Sequence, residues 1–338
     1  MRRVEKYRRR LRFKKKARKY AIVCTIIVMA FSIGALVAGL EFKDDNVKCY
    51  TKTEVIDKVK PIDGRTIEKN IEREIKSESK EKDLEIKSEI IDESNYTPID
   101  KDPNADDAIE LFHTTEKLIK GELRYPVRKD GKKVVYLTFD DGPSTTNTPK
   151  VLDTLKANNI KATFFIMGKQ INSSKASSEI LKRTVAEGHA IGNHTYSHEY
   201  KYLYPHDTVN VDNFMADVEK CDKELKSVLG EKFSTRVIRF PGGYWSWKGR
   251  KNIRPVLVDK RYAIIDWNTL SEDAEGKPNK TAKELTEITR KNLNLLGPNA
   301  DSVVILMHDT YGKEETAKSI QDIINIFKDK GFEFRTIK

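Results

Sequence analysis

The chain has 338 residues, 38% hydrophobic and 34% charged, enough apolar material for one large domain or two smaller ones once its polar stretches are set aside. Its net charge of +11 is local: of 63 Lys and Arg against 52 acids, residues 1–40 hold twelve bases and one acid, Glu5, leaving a formally neutral remainder of 51 against 51. Basic residues confined to a leader, and not clustered on a folded surface, exclude nucleic acid as the partner.

In chain order, residues 1–20 are the basic leader and residues 21–40, AIVCTIIVMAFSIGALVAGL, form an uncharged run. At 1.5 Å per residue such a run crosses the roughly 30 Å hydrocarbon layer of a bilayer. The basic flank is expected to stay cytoplasmic, which places all that follows outside the cell on a single-pass anchor. A cleaved signal peptide is the alternative, but its apolar stretch is normally shorter and no small-x-small site follows here. Residues 41–106 are rich in Lys, Glu, Asp and Ser, bury little, and read as a solvated tether. Within them EIKSE recurs at 74–78 and 85–89, a spacing compatible with a helical stalk. Cys24, Cys49 and Cys221 imply no disulfide framework, although Cys49 could pair between chains.

The pattern changes at residue 107, and residues 107–338 read as one domain with its motifs in 134–338. Strands are expected at 134–139, 162–167, 190–193, 237–240, 262–265, 303–307 and 332–337. Helices are expected at 148–158, 177–187, 211–229, 281–295 and 314–330. Strictly alternating strands and helices argue for a parallel sheet, and seven strands suit a barrel wrapped by helices, with function at the strand C-terminal ends.

Polar residues fall at those ends. Asp140 and Asp141 close the first strand before Gly142-Pro143, and successive strand residues face opposite ways, so one carboxylate can bind a metal while the other abstracts a proton. His194 and His198 are four apart, and on a helical turn both rings would face one ion. Arg239 ends the fourth strand; His308 and Asp309 end the sixth. Two His and one carboxylate leave open positions on Zn²⁺ or a similar divalent ion. Tyr244, Trp245 and Trp247 follow the Arg and could either stack on a sugar or pack the rim. His113, His189 and His206 lie outside any ligand spacing and read as structural or solvated; Asp222 and Asp301 read as surface carboxylates.

Residues 134–338 resemble the polysaccharide deacetylases, the NodB-type carbohydrate esterase family 4. Thr138-Phe-Asp-Asp-Gly-Pro-Ser144, His194-Thr-Tyr-Ser-His198, Arg239-Phe-Pro-Gly242 and Leu306-Met-His308 each match a motif of that family. The resemblance implies a distorted (β/α)7 barrel in which Asp141, His194 and His198 hold the metal, Zn²⁺ first and Co²⁺ as the alternative. It implies Asp140 as base with Arg239 holding its charge, His308 as acid, and Leu306 against the acetyl methyl. A backbone N–H near Gly242 would take the oxyanion. Many members have Tyr where this chain has Gly242, and the family's Asp-Trp pair aligns with Asp273-Ala274. Asp273 is therefore the expected partner of His308, with Asp266 and Asp309 as rivals.

The chemistry expected is hydrolysis of a carbon–nitrogen bond: N-deacetylation of N-acetylglucosamine in a cell-surface glycan, peptidoglycan first. Another poly-N-acetylglucosamine, an O-acetylated xylan, or a non-catalytic glycan-binding role are the alternatives. No obligate protein partner is expected.

Overall fold

The computed structural model describes Thr97 and residues 99–120, 122–123 and 128–338. The leader, the apolar run 21–40 and nearly all of the tether lie outside the described residues. No helix among the described residues is long and apolar enough to cross a membrane.

The described residues form ten strands: β1 (Ala105–Asp106), β2 (Val134–Asp140), β3 (Thr163–Ile166), β4 (Ala190–Asn193), β5 (Val237–Ile238), β6 (Ala263–Ile264), β7 (Thr269–Leu270), β8 (Ser302–His308), β9 (Glu333–Phe334) and β10 (Thr336–Ile337). The helices are α1 (Ala108–Lys120), α2 (Thr148–Ala157), α3 (Gly168–Ile171), α4 (Lys175–Ala186), α5 (Tyr200–Leu203), α6 (Val211–Leu229), α7 (Arg250–Asp259), α8 (Ala282–Leu295) and α9 (Glu314–Asp329).

Seven strands run in the order β6-β5-β4-β3-β2-β8-β7, every pair parallel, and no pairing joins β6 to β7. The result is a curled α/β half-barrel. β2 lies at its centre, paired with β3 on one side and along its whole length with β8 on the other. All seven of its residues are buried, which is why it reads as a continuous apolar run and not as an alternating one.

The two-residue period still sorts its side chains. Val135, Leu137 and Phe139 join the cluster that α2, α4 and α9 cover, whereas Val134 and Tyr136 join the cluster that includes residues of α1, α6 and α7. Asp140 has the parity of Val134 and Tyr136.

The seven parallel strands are not the seven expected. Residues 332–337 split into β9, which pairs only with the start of β2, and β10, which pairs with β1. The place at the half-barrel's end is taken by β7, a two-residue strand pairing with Ile305 and Leu306.

Candidate active site

The turn after β2 sets the site. Asp140 stays on the strand, 3% exposed, and its Oδ1 accepts a 2.7 Å bond from Arg239 Nη1. Arg239 is wholly buried: Nη1 also donates to Thr138 Oγ1 at 2.8 Å, Nε donates to the Ile265 carbonyl at 2.8 Å, and the guanidinium lies 3.9 Å from the Phe165 ring centroid. A carboxylate buried this deeply needs such a partner, because desolvation otherwise outweighs its charge. Asp141 leaves the strand with φ 70°, which turns its carboxylate back to the same end of the sheet as Asp140. Gly142 follows because nothing larger fits: a Cβ there would lie 2.6 Å from Asp309 Oδ1.

His194 and His198 reach Asp141 from the loop after β4. Both Nε2 atoms are 3.5 Å from Asp141 Oδ1, and the three residues form a cluster whose ligand atoms lie within 4.8 Å of one another. The expected helical turn is not what aligns them. The segment is irregular, and positive φ at Thr195 (64°) and His198 (58°) brings the rings together, with centroids 5.1 Å apart.

The loop is pinned by Asp217 of α6, whose Oδ2 accepts from Ser197 N at 2.8 Å and Ser197 Oγ at 3.0 Å. Nothing in the sequence marks Asp217, a buried acid on an amphipathic helix with no motif around it.

The donor set fits a divalent cation. Burial, outweighing the attraction of Asp141, lowers the His194 pKa to about 3, so the ring is neutral. Its Nδ1 is 2.8 Å from the Arg239 carbonyl, and since a carbonyl only accepts, Nδ1 carries the proton and Nε2 keeps its lone pair. Asp141 Oδ1 is buried with no hydrogen-bond partner, the kind of orphaned acceptor that a cation satisfies. A neutral imidazole, a second His and a carboxylate suit Zn²⁺ and leave positions open.

His308 ends β8 beside Asp140 in register. Asp273 holds it twice: Oδ1 is 2.9 Å from His308 Nδ1 and Oδ2 accepts from His308 N at 2.8 Å. Thr316 Oγ1 donates to the same carboxylate at 2.9 Å, and Lys313 Nζ donates to the Asp273 carbonyl at 2.7 Å. Burial opposes charge on His308, but Asp273, with Asp141 and Asp140 adding to it, raises the pKa to about 9. Burial likewise opposes charge on Asp273, and the His308 charge prevails, lowering its pKa.

Of the rivals, Asp309 lies under Gly142 and accepts from Thr148 Oγ1 at 2.6 Å, its pKa pushed up by burial to about 7. Asp266 accepts from the backbone N–H groups of Tyr244 and Trp245. Neither has a hydrogen bond to the His308 ring.

Leu306 is buried two residues before His308 on the same face of β8. Gly242 sits exposed at the rim with φ 74°. Tyr244 cannot stack on a sugar as it stands: it is 2% exposed, wedged edge-on against Phe240 because Asp266 draws its backbone inward. Trp245 is half-buried between Tyr244 and Arg250, and Trp247 stacks on Tyr204 with centroids 4.0 Å apart.

His189 is buried, with Nδ1 accepting from Ala162 N at 3.1 Å. His113 and His206 are exposed. Asp222 and Asp301 are not surface groups: Asp222 accepts from Tyr262 and Asn193 side chains, and Asp301 accepts from Arg128 N. A concavity of about 530 Å³ lined by Lys132, Asn158, Lys328 and Arg335 borders β9, which pairs with the opposite, N-terminal end of β2. Its charged groups are paired with neighbours, Lys132 with Glu333 and Arg335 with Asp106.

A curled parallel α/β sheet with a two-His, one-Asp cluster at its strand ends, a buried Asp–Arg pair and a His–Asp pair beside it, is the arrangement of an acid–base hydrolase with a site that fits a divalent cation. The family model for polysaccharide deacetylase matches residues 127–255. The chain is 35% identical over 208 residues to a peptidoglycan-N-acetylglucosamine deacetylase of Bacillus cereus, covering 61% of this chain and 67% of that one. It is 32% identical over 212 residues to the peptidoglycan-N-acetylglucosamine deacetylase PgdA of Listeria monocytogenes, covering 63% of this chain but only 39% of that longer protein. A solved CE4 esterase of Streptococcus mutans superposes with a TM-score of 0.63 at 32% identity, covering 73% of this chain and 98% of that one. The chain belongs to the polysaccharide deacetylase family, and is a hydrolase acting on carbon–nitrogen bonds.

Proposed function

We propose that this chain is a metal-dependent N-deacetylase that removes acetyl groups from N-acetylglucosamine in peptidoglycan at the outer face of the cell membrane. The observation that carries the reading is that Asp140 and His308, register partners on adjacent strands, stand at the same strand ends as the Asp141–His194–His198 cluster. Those three residues would hold the cation, which, when bound, polarises the acetamide carbonyl and acidifies water. Asp140 Oδ2, 3.6 Å from His194 Nε2, accepts the proton of the attacking water while Arg239 holds Oδ1. A backbone N–H of the Gly242 turn donates to the oxygen that gains charge as the carbon becomes tetrahedral. His308, its Nδ1 engaged by Asp273, gives a proton from Nε2 to the departing nitrogen. The C–N bond breaks, leaving acetate and a free amine. Leu306, on the face of β8 that carries His308, meets the acetyl methyl.

The apolar run 21–40 behind a basic leader, and the charged stretch after it, support an anchored enzyme with reach into the wall. The names of the Bacillus and Listeria relatives support peptidoglycan over other glycans.

The test incubates the protein with peptidoglycan, N-acetylglucosamine oligomers and acetylated xylan, with and without a chelator, and measures acetate and free amine. Chelator-sensitive release of both from peptidoglycan is expected. Release from xylan alone would overturn the N-deacetylase reading, and full activity after chelation would overturn the metal.

A further inference from the structure

We propose that Tyr200 is the sugar-stacking residue of this site, the ring on which the acetylated aminosugar lies while its acetamido group reaches the cluster. The inference rests on the deacetylase reading and concerns how that substrate is held.

α5 begins at Tyr200, two residues beyond His198, so the ring is tethered to a residue of the cluster. The two ring centroids are 5.2 Å apart at 37°, and His198 in turn is 5.1 Å from His194. Tyr200 nonetheless keeps 45% of its surface open, one of four large hydrophobic side chains that do so among the described residues. A half-exposed aromatic ring beside His198 can serve a sugar, because flat rings match the apolar faces of pyranoses.

Tyr200 also contacts Trp247 and Tyr204, with centroids 5.3 and 6.1 Å away, but those rings are more deeply packed than it is. One face of Trp247 is covered by Tyr204, Tyr244 is buried, and Trp245 is held between Tyr244 and Arg250. Gly242 completes the arrangement. A Cβ at that position would lie 3.2 Å from Tyr200 Oη and 3.0 Å from the Trp247 ring, so the turn has no side chain where Tyr200 stands over it. Tyr200 is a positioning residue that touches substrate, and takes no part in proton transfer.

The experiment uses the full chain in detergent, as wild type, Tyr200→Ala and Tyr200→Phe. Each is assayed on the N-acetylglucosamine tetramer and on 4-nitrophenyl acetate, which has no sugar, with bound metal quantified and tetramer binding titrated directly. Tyr200→Ala is expected to raise KM and Kd for the tetramer by about tenfold with kcat nearly unchanged, the size of one lost ring contact. Aryl acetate hydrolysis and metal content are expected to stay at wild-type levels, and Tyr200→Phe to keep tetramer affinity.

Unchanged tetramer KM and Kd in Tyr200→Ala would overturn the assignment. So would an equal loss on aryl acetate or a loss of metal, which would make the ring a support for His198. If the wild type released no acetate from the tetramer, the deacetylase reading would fail there. The titration would still decide the ring: weaker binding by Tyr200→Ala supports it, and equal binding, or none by the wild type, overturns it.

Discussion

Asp273 decides the protonation state of His308, the residue we propose to serve the leaving group. His308 is largely buried, which alone would drive its pKa down, and the carboxylate 2.9 Å from Nδ1 reverses that to about 9. The raised value means the imidazolium form is the native one at neutral pH, its stabilisation present in full below about 6.5 and lost as pH rises through about 9. Activity is therefore expected to fall on the alkaline side near pH 9. Asp273→Asn keeps the shape and removes the charge. It should lower kcat at pH 7 on the order of 10²-fold and move the alkaline limb to or below 6.5, read from a pH–rate profile with metal content held constant. An unmoved limb would separate Asp273 from the titration of His308.

At the scale of elements, Asp273 depends on the irregular segment between β7 and α8, and one side chain organises it. Lys280 is 9% exposed and its ammonium donates to the carbonyls of Glu272, Glu275 and Lys277, a cation supplied from within the loop. Lys280→Met leaves three carbonyls short of a donor, at a cost of roughly 1–3 kcal/mol. Thermal unfolding should drop by several degrees, kcat should fall with Asp273 loosened, and bound metal should be unchanged; a loss of metal would show that the loop supports the cluster too.

The same segment explains what the sequence could and could not reveal. Asp140, Asp141, His194, His198, Arg239 and His308 were legible because they stand at the ends of apolar runs or at a ligand spacing. The two-residue β7 was not, since Thr269–Leu270 is too short to show any period. α7 begins after a left-handed Gly249 and contains Pro255, which masks its helical pattern. The convergence of the two histidines depends on left-handed Thr195 and His198, conformations that no residue pattern announces. The burial of Tyr244 follows from Asp266, more than twenty residues away in sequence, reaching its backbone N–H.

For the whole molecule, the cluster would tie folding to any cation it holds. Asp141 Oδ1 is buried without a hydrogen bond, and His194 is held neutral with Nε2 beside it. The folded state thus presents a formed donor set that an unfolded chain lacks, and any cation it holds stabilises the fold by mass action. At one hundred times Kd that amounts to about 2.7 kcal/mol. For a domain of this size it corresponds to a Tm change of roughly 5–10 °C. A chelator should therefore lower the Tm of the wild-type protein by that much, and added Zn²⁺ should restore it in proportion to the logarithm of its concentration. Asp141→Asn removes the charge that completes the set, so its Tm should respond to neither reagent. A wild-type Tm indifferent to chelation while activity is lost would place the functional metal outside this cluster, and the roles of Asp140 and His308 beside it would fall together.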